Sequence, residues 1–392
     1  MANSFTNNKK VKLIAKTVAD NMDYVKKAHS YMSNDQLKGK KYGMTFDVYI
    51  PDPGKVQDGL VTDPDEIVEV PVTVTLQNKN SSCEIDSWDE ITNIEDFQGE
   101  IVKPRAVKLA KEIQKDAIKQ TIFRAAQAVV ADAPSFEVLS EGAAALQEAS
   151  VAGNVVSFLA PSEHSKIAAT GLAKYIPDDI QKKIYTKNYL GEYAGASQIS
   201  LANMPVITTP ASASTFSVTL TPVTDADSNT IGFEAIKSGT GTNLFNGVPF
   251  KAAGLKLVDV NGVETDQDFI VIADANGNIP ELRITVEGKA YGNPNAWVAA
   301  GTSTLTFTPM LDTETKYAIG QVRTEDALGF DTYKFNKLAG VDDLGAETVD
   351  GVRVEVVKGS NVLTRQSCVR IDCPFCVTLP ETRNAVVMYI KK

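Results

Sequence analysis

Between Gly99 and Asp132 the apolar face recurs at Ala106, Ala110, Ile113, Ala117, Thr121, Ala125 and Val129. The steps are three or four residues, the period of an amphipathic helix. Val107, Ile118, Ile122, Ala126 and Val130 widen that stripe, while Lys108, Lys111, Lys115 and Lys119 follow the same spacing on another face. Pro104 suits a first helical turn, where a missing N–H costs nothing. Pro134 cannot continue a helix, and Ala133 before it is biased away from helical angles. The pattern predicts one helix from Pro104 to Asp132, roughly 43 Å long at 1.5 Å per residue. Lys108 with Glu112, and Asp116 with Lys119, are surface ion pairs worth a few tenths of a kcal/mol. A helix of that length reads either as a long core helix of an α+β protein or as a spine on which an extended, plate-shaped subunit is built.

The rest of the chain switches between periods. In residues 1–41, Val11, Ile14, Ala15, Val18, Ala19 and Met22 form one weak helical stripe. That surface is too small to fold alone, so the arm is expected to lie on a neighbouring molecule. Met44 to Ile50 alternates as a strand with Phe46, Val48 and Ile50 on one face, and Ile67 to Leu76 alternates again. Between them lies a Pro-, Gly- and Asp-rich tip, predicting a long β-hairpin of the kind used for binding. Cys83 to Phe97 predicts a short strand and a helical turn. Ser135 is placed to cap a second helix carrying Phe136, Leu139, Ala143, Leu146 and Ala149. After Gly153, a strand is followed by Pro161 and a helix for which Ser162 is the expected N-cap. A helical turn at Pro177 to Tyr185 and a strand at Ile199 to Thr209 come next.

From Pro210 to Pro309 the texture changes to Thr, Ser, Gly and Asn. Short strands alternate with turns at Asn261-Gly262 and Asn276-Gly277, predicting an all-β module inserted into a host domain. Lys316 to Leu338 is mixed, with strand-like Tyr333 and Phe335. Val352 to Val357, Ser367 to Leu379 and Ala385 to Ile390 read as strands, the last closing a sheet begun near Cys83. The fold class is α+β.

Length and charge refine this. At 392 residues the chain should divide into two or three domains. Its net charge of −10 is uneven. Residues 1–41 hold nine Lys against three Asp, leaving +6, so the remainder carries −16. That disfavours a free nucleic-acid binder, although the basic arm could touch nucleic acid or an acidic partner. No apolar run is long enough for a membrane span. The N-terminus lacks the apolar core of a secretory signal, so a cytoplasmic product is expected.

Catalytic patterns are absent. The two histidines are His29 in the polar arm and His164, expected on a helix surface. No G-x-S-x-G elbow or phosphate-binding loop occurs, and the Gly-rich run 239–247 reads as a turn. Asp225, Asp227, Asp259, Asp266 and Asp268 lack calcium-loop spacing and read as solvated turns. Cys373 and Cys376 have C-x-x-C spacing inside a strand-like run, so buried thiols are favoured over a metal or redox pair. No enzyme, cofactor or metal site is predicted.

Five segments carry a family resemblance: FDVYIP at 46–51, the spine at 104–132, VSFLAPSEHSKIA at 156–168, the tract 176–209 from IPDD to VITT, and SCVRIDCPFCVTLPETRNAVVMYI at 367–390. With the order of elements, they resemble the major coat protein of tailed bacteriophages, the Hong Kong 97-type capsid fold. More narrowly, the chain resembles coat proteins of short-tailed phages that carry an inserted domain.

The resemblance implies an N-terminal arm at 1–41, an E-loop at 42–78 and a peripheral domain with the spine at 79–150, continued by strands at 350–392. It implies an axial domain at 151–209 and 310–349, and an inserted β domain at 210–309. The arm here is more basic than in the nearest relatives, so its partners are not carried over. The implied function is a structural subunit that self-assembles, as pentamers and hexamers, into an icosahedral head enclosing non-specifically packaged DNA. Scaffolding and portal proteins are the further partners, and the virion capsid, assembled in host cytoplasm, is the location. The alternative is an encapsulin-type compartment shell; a third reading, a surface protein with an adhesive module, is disfavoured by the missing signal.

Residues 51–70 hold six acids and one Lys. The predicted contact joins Asp52, Lys55, Asp58, Asp63, Asp65 and Glu66 of one hairpin tip to Lys108, Lys111, Lys115 and Lys119 of the adjacent spine. The competing expectation is an apolar contact through Val56, Leu60 and Val61.

Overall fold

The computed structural model describes residues 3–26, 28–31, 45–54, 67–86, 103–171, 191–211, 215–238, 247–272, 278–289, 291–334, 342–361 and 366–392. The expected turns at Pro177 to Tyr185 and Asn276-Gly277, the helical turn before the spine, and Phe335 lie outside them. The fold is α+β, and the chain divides into two compact units. One comprises Met1–Val48, Thr73–Ile118 and Leu328–Thr378; the other comprises Tyr49–Val72, Lys119–Ala327 and Leu379–Lys392.

The first unit is built on an antiparallel sheet of β3 (Gln77–Asp86), β20 (Gly329–Thr332), β21 (Asp342–Val349), β22 (Val352–Asn361) and β23 (Gln366–Thr378). Its order is β20-β23-β22-β21, with β3 also pairing β23 from Gln366↔Asp86 to Phe375↔Gln77. Helix α1 (Asn3–Asp20) packs on β21 and β22. It buries Val11, Ile14, Ala15, Val18 and Ala19, with Met22 just beyond its end. The helical stripe of the arm therefore does not await a neighbour: the small Ala15 and Ala19 let the helix backbone close on its own sheet. Past the helix, the His29 N–H donates to Leu328 O at 2.8 Å and the Phe330 N–H to His29 O at 2.9 Å. The Asp331 carboxylate accepts the Ser30 hydroxyl and, at 3.0 Å, the Tyr31 N–H.

The long helix is shorter than its pattern. Helix α2 runs Lys103–Arg124, about 33 Å at the standard rise, and β4 (Gln127–Ala131) comes directly after it. Its stripe of Ala106, Ala110, Ile113 and Ala117 is buried as expected. The sequence Gln127-Ala-Val-Val-Ala131 suits either period, and tertiary pairing decides: β4 lies parallel to β24 (Ala385–Lys391), Val386 opposite Gln127. The Arg124 guanidinium holds this corner, donating to Leu379 O at 2.6 Å and Pro380 O at 3.2 Å.

The second unit has a mixed sheet in the order β4-β24-β19-β5-β7-β6. Its further strands are β5 (Val155–Leu159), β6 (Glu192–Tyr193), β7 (Ala196–Ser200) and β19 (Lys316–Thr324), and β8 (Val206–Thr208) also pairs β19. The last strand thus sits inside this sheet and not in the sheet of Cys83, whose partner is β23. Its unbroken apolar run fits a strand buried on both faces, but does not reveal which sheet buries it. Helices α3 (Phe136–Glu148) and α4 (Pro161–Gly171) lie in the same unit. Val138, Leu139, Leu146, Ile167 and Ala168 share a core with Val322, Val386, Met388 and Ile390. Ser135 caps α3 as expected, accepting the Val138 N–H at 3.4 Å. Ser162 does not cap α4: Pro161 is already the first helical residue, the position its fixed φ suits. His164 is 2% exposed, a buried side chain where a surface one was expected.

Strands β9 to β18 lie in sequence between β8 and β19, which are themselves paired neighbours with Thr208 opposite Lys316. The chain leaves and returns through one neck, where the Thr209 N–H donates to Thr315 O at 2.9 Å and the Thr315 N–H to Thr209 Oγ at 2.8 Å. The intervening strands are β9 (Phe216–Thr219), β10 (Pro222–Thr224), β11 (Thr230–Phe233), β12 (Ile236–Ser238), β13 (Pro249–Val258), β14 (Glu264–Ile272), β15 (Asn278–Leu282), β16 (Ile284–Val286), β17 (Ala296–Val298) and β18 (Thr304–Pro309). Eight of them form one sheet around stacked Phe216 and Phe307, and β12 pairs with β15. The Asn261-Gly262 turn forms as expected: Asp259 accepts the Asn261 and Val263 N–H groups at 2.9 and 2.7 Å, and Gly262 takes a φ of +79°.

Strands β1 (Thr45–Ile50) and β2 (Val70–Thr75) make a separate two-stranded ribbon. Its buried face carries Val48, Ile50, Val70, Val72 and Val74, as the alternation requires. Its other face leaves Tyr49 57% exposed.

Candidate functional site

Of the predicted contact residues, Lys55, Asp58, Asp63, Asp65 and Glu66 lie outside the described residues. Lys108, Lys111, Lys115 and Lys119 are exposed along one side of α2, spread over roughly 16 Å. Asp116, expected to pair with Lys119, instead meets Lys79 at 2.8 Å. Beside the first turns of α2, Lys79, Asn80 and Ser81 of β3 and Pro104, Arg105, Lys108, Leu109 and Glu112 line a groove of about 590 Å³. Arg105 donates to Ser82 O at 2.5 Å, which fixes the cationic wall. Three of the groove's ionisable groups are cations and one is an anion, so it suits an acidic segment.

Asp52 has a different place. Its carboxylate accepts the Gly54 N–H at 3.1 Å and the Val68 N–H at 2.8 Å, which closes the tip-side end of the ribbon. It is engaged within its own hairpin.

A second cluster was not anticipated. Glu381 and Arg383, two residues apart, are the only charges in the run 373–390. Arg383 is 2% exposed and grips Glu381 with two contacts of 2.7 Å. The same guanidinium donates to Val258 O at 3.2 Å, to Asp259 O and to Pro294 O at 3.3 Å. Burial alone would raise the Glu381 carboxyl, but the charge and hydrogen bonds of Arg383 outweigh it and hold it below its ordinary value. Burial lowers nearby Arg283, and it lowers Arg124 to about 10. Two charges in an apolar strand run were the available signal, since a buried ion must be paired.

The residues best suited to chemistry have structural surroundings. Burial pushes Cys373 and Cys376 up to about 12, the direction opposite to that of reactive thiols. Asp225 accepts the Asp227 and Asn229 N–H groups at 3.0 and 2.8 Å, and Asp268 pairs Lys256 at 2.7 Å. Asp227 is exposed, and Asp266 gives its backbone carbonyl to Lys256. Among the described residues no group of three or more His, Cys, Asp and Glu could hold a metal. No described helix is long and apolar enough to cross a membrane.

No family model matches the chain, and no curated protein matches it. Among solved structures it is similar to the capsid of Cyanophage P-SCSP1u, with a TM-score of 0.47 and 10% identity over 93% of this chain and 85% of that one. It is similar to the mature capsid of bacteriophage PhiM1, with a TM-score of 0.47 and 9% identity over 93% and 84%. It is also similar to a virus-like particle from Pyrococcus furiosus, with a TM-score of 0.38 and 11% identity over 96% and 98%.

Proposed function

We propose that this chain is the major capsid subunit of a tailed bacteriophage, a structural protein that self-assembles into a closed shell around DNA. The observation that supports it is the ribbon β1–β2 together with the long helix α2. Two strands alone are at best marginally stable in water, and here the chain itself covers one face of the pair, with Val48 and Val74 packed on Cys376. The ribbon leaves Tyr49 57% and Ile67 79% exposed, and the chain runs from it through β3 to a 22-residue helix. In a closed shell each copy offers the same ribbon to the next and buries it there.

On this reading residues 1–41 are the arm, 42–78 the E-loop, 79–150 the peripheral domain with α2 as spine, and 151–209 with 310–349 the axial domain. Residues 210–309 are the inserted β domain, entered and left through the Thr209–Thr315 neck. The terminal segment 350–392 is divided: β22 and β23 belong to the peripheral sheet, and β24 joins the axial one. Pentamers and hexamers, scaffolding and portal proteins, and packaged DNA are the partners the reading implies. Catalysis has no part in it.

The acidic tip of each E-loop docks on the cationic groove and lysine face of the adjacent copy. Exposed pairs contribute about 0–1 kcal/mol each, but the shell repeats the contact in every subunit. Sedimentation across a salt series tests it, because the Debye length shrinks to about 3 Å at 1 M salt. Reversing Asp63, Asp65 and Glu66 to Lys is expected to abolish fast-sedimenting particles while the subunit stays folded. Normal particles with unchanged salt dependence would replace the ionic contact with one through Val56, Leu60 and Val61.

A further inference from the structure

The tip-side end of the ribbon, where β1 passes into the loop and β2 begins, meets the β-rich domain of its own chain. Asp52, Pro53, Gly54 and Val68 form one wall of a cleft of about 330 Å³, and the Asn261-Gly262 turn, Lys289 and the segment 291–294 form the other. One hydrogen bond crosses it directly: Asn293 Nδ2 donates to Pro51 O at 3.0 Å. Asn293 is 2% exposed, so this amide is buried at the contact. Close packing accompanies it, since a Cβ placed on Gly262 would lie 3.6 Å from Pro53 Cγ.

The donor is held rigidly from behind. Arg283 Nε donates to Asn293 O at 2.5 Å, and the Arg283 N–H donates to Asn295 Oδ1 at 2.9 Å. Asn295 is fully buried and returns a bond from Nδ2 to Glu281 O at 2.8 Å. Pro294 O accepts from Arg383 Nη1 at 3.3 Å, and Arg383 is clamped by Glu381. A line of fixed groups therefore runs from the start of β24 through Arg383 and the 293–295 segment to Pro51. On the ribbon side, Asp52 ties Gly54 to Val68 and keeps the two strands together at that point.

We infer that the segment 293–295 is a socket that sets the direction of the hairpin in cis, with Asn293 as its positioning residue. The ribbon is then aimed before any neighbour arrives. Buried polar groups of this kind specify one arrangement more than they add stability, because an unmade partner is costly. The consequence for particle geometry rests on the capsid reading; the socket itself does not.

The test is hydrogen exchange on the full-length, unassembled chain, which keeps the two claims separate. Asn293→Ala is expected to speed exchange of the amides in 45–54 and 67–75 at least tenfold, while those of β13 and β14 keep their protection. Asp52→Ala is expected to speed only Gly54 and Val68. Unchanged exchange in the ribbon of Asn293→Ala overturns the socket. Should that variant fail to fold, the wild-type background answers: spin labels introduced as Tyr49→Cys and Val263→Cys are expected to give one narrow distance distribution, and a broad one overturns the proposal. If the socket is present and the shell reading holds, Asn293→Ala particles vary in diameter; if the shell reading fails, the exchange result stands alone.

Discussion

The arm and the ribbon each carry one narrow apolar stripe that must be covered from elsewhere, and their fates differ. Helix α1 carries a stripe of small and branched residues at helical spacing and buries all of it on β21 and β22 of its own chain. The ribbon alternates at period two, so only half of its residues can be covered from one side, and Tyr49 stays in solvent. A weak stripe with Ala at the contact can be completed at home. A strand pair with an outward face and, among the described residues, no third strand beside it has a use for a second molecule.

Perturbing the arm should have the largest effect. Val18→Asp places a charge at a fully buried contact and is expected to cost more than about 4 kcal/mol, unfolding the first unit in chemical denaturation. Asp331→Ala removes the partner of Ser30 and of the Tyr31 N–H, at about 2 kcal/mol, and should expose the segment after α1 to protease before the sheet melts. Either variant behaving as wild type would return the arm to the class of segments that wait for a neighbour.

The sequence was most readable where a pattern was both local and long. The α1 and α2 stripes, the Ser135 cap, the β1 alternation and the Asn261-Gly262 turn derive from neighbouring residues alone. The end of α2 was not readable, because Gln127 to Ala131 satisfies helical spacing and only β24, some 250 residues away, selects strand. The placement of β24 failed for the same reason: its apolar run says that it is buried, not beside what. Ser162 was misread because Pro161 already suits the first turn. His164 was misread because a single polar residue carries no period. Of the predicted contact, the lysine face is where the helix stripe placed it, and Asp52 is not free because a turn carboxylate bonds its own backbone first.

Perturbing the ribbon should have smaller effects on the subunit and larger ones on assembly. Asp52→Ala is expected to cost the unassembled chain about 1 kcal/mol in thermal unfolding, through the Gly54 and Val68 N–H groups it leaves unbonded. Tyr49→Ser is expected to stay within about 0.5 kcal/mol of wild type in the same measurement, yet to lower particle yield in sedimentation. A Tyr49→Ser chain that loses subunit stability and keeps full particle yield would make the ribbon an internal element like the arm.

The central claim is that copies of this chain close into a shell. Electron microscopy of the purified protein, alone and with a co-expressed scaffold, tests it most directly. The account predicts closed particles of uniform diameter with five- and six-fold clusters of subunits. Monomers or small open oligomers under both conditions, at concentrations where the subunit is folded, would contradict it.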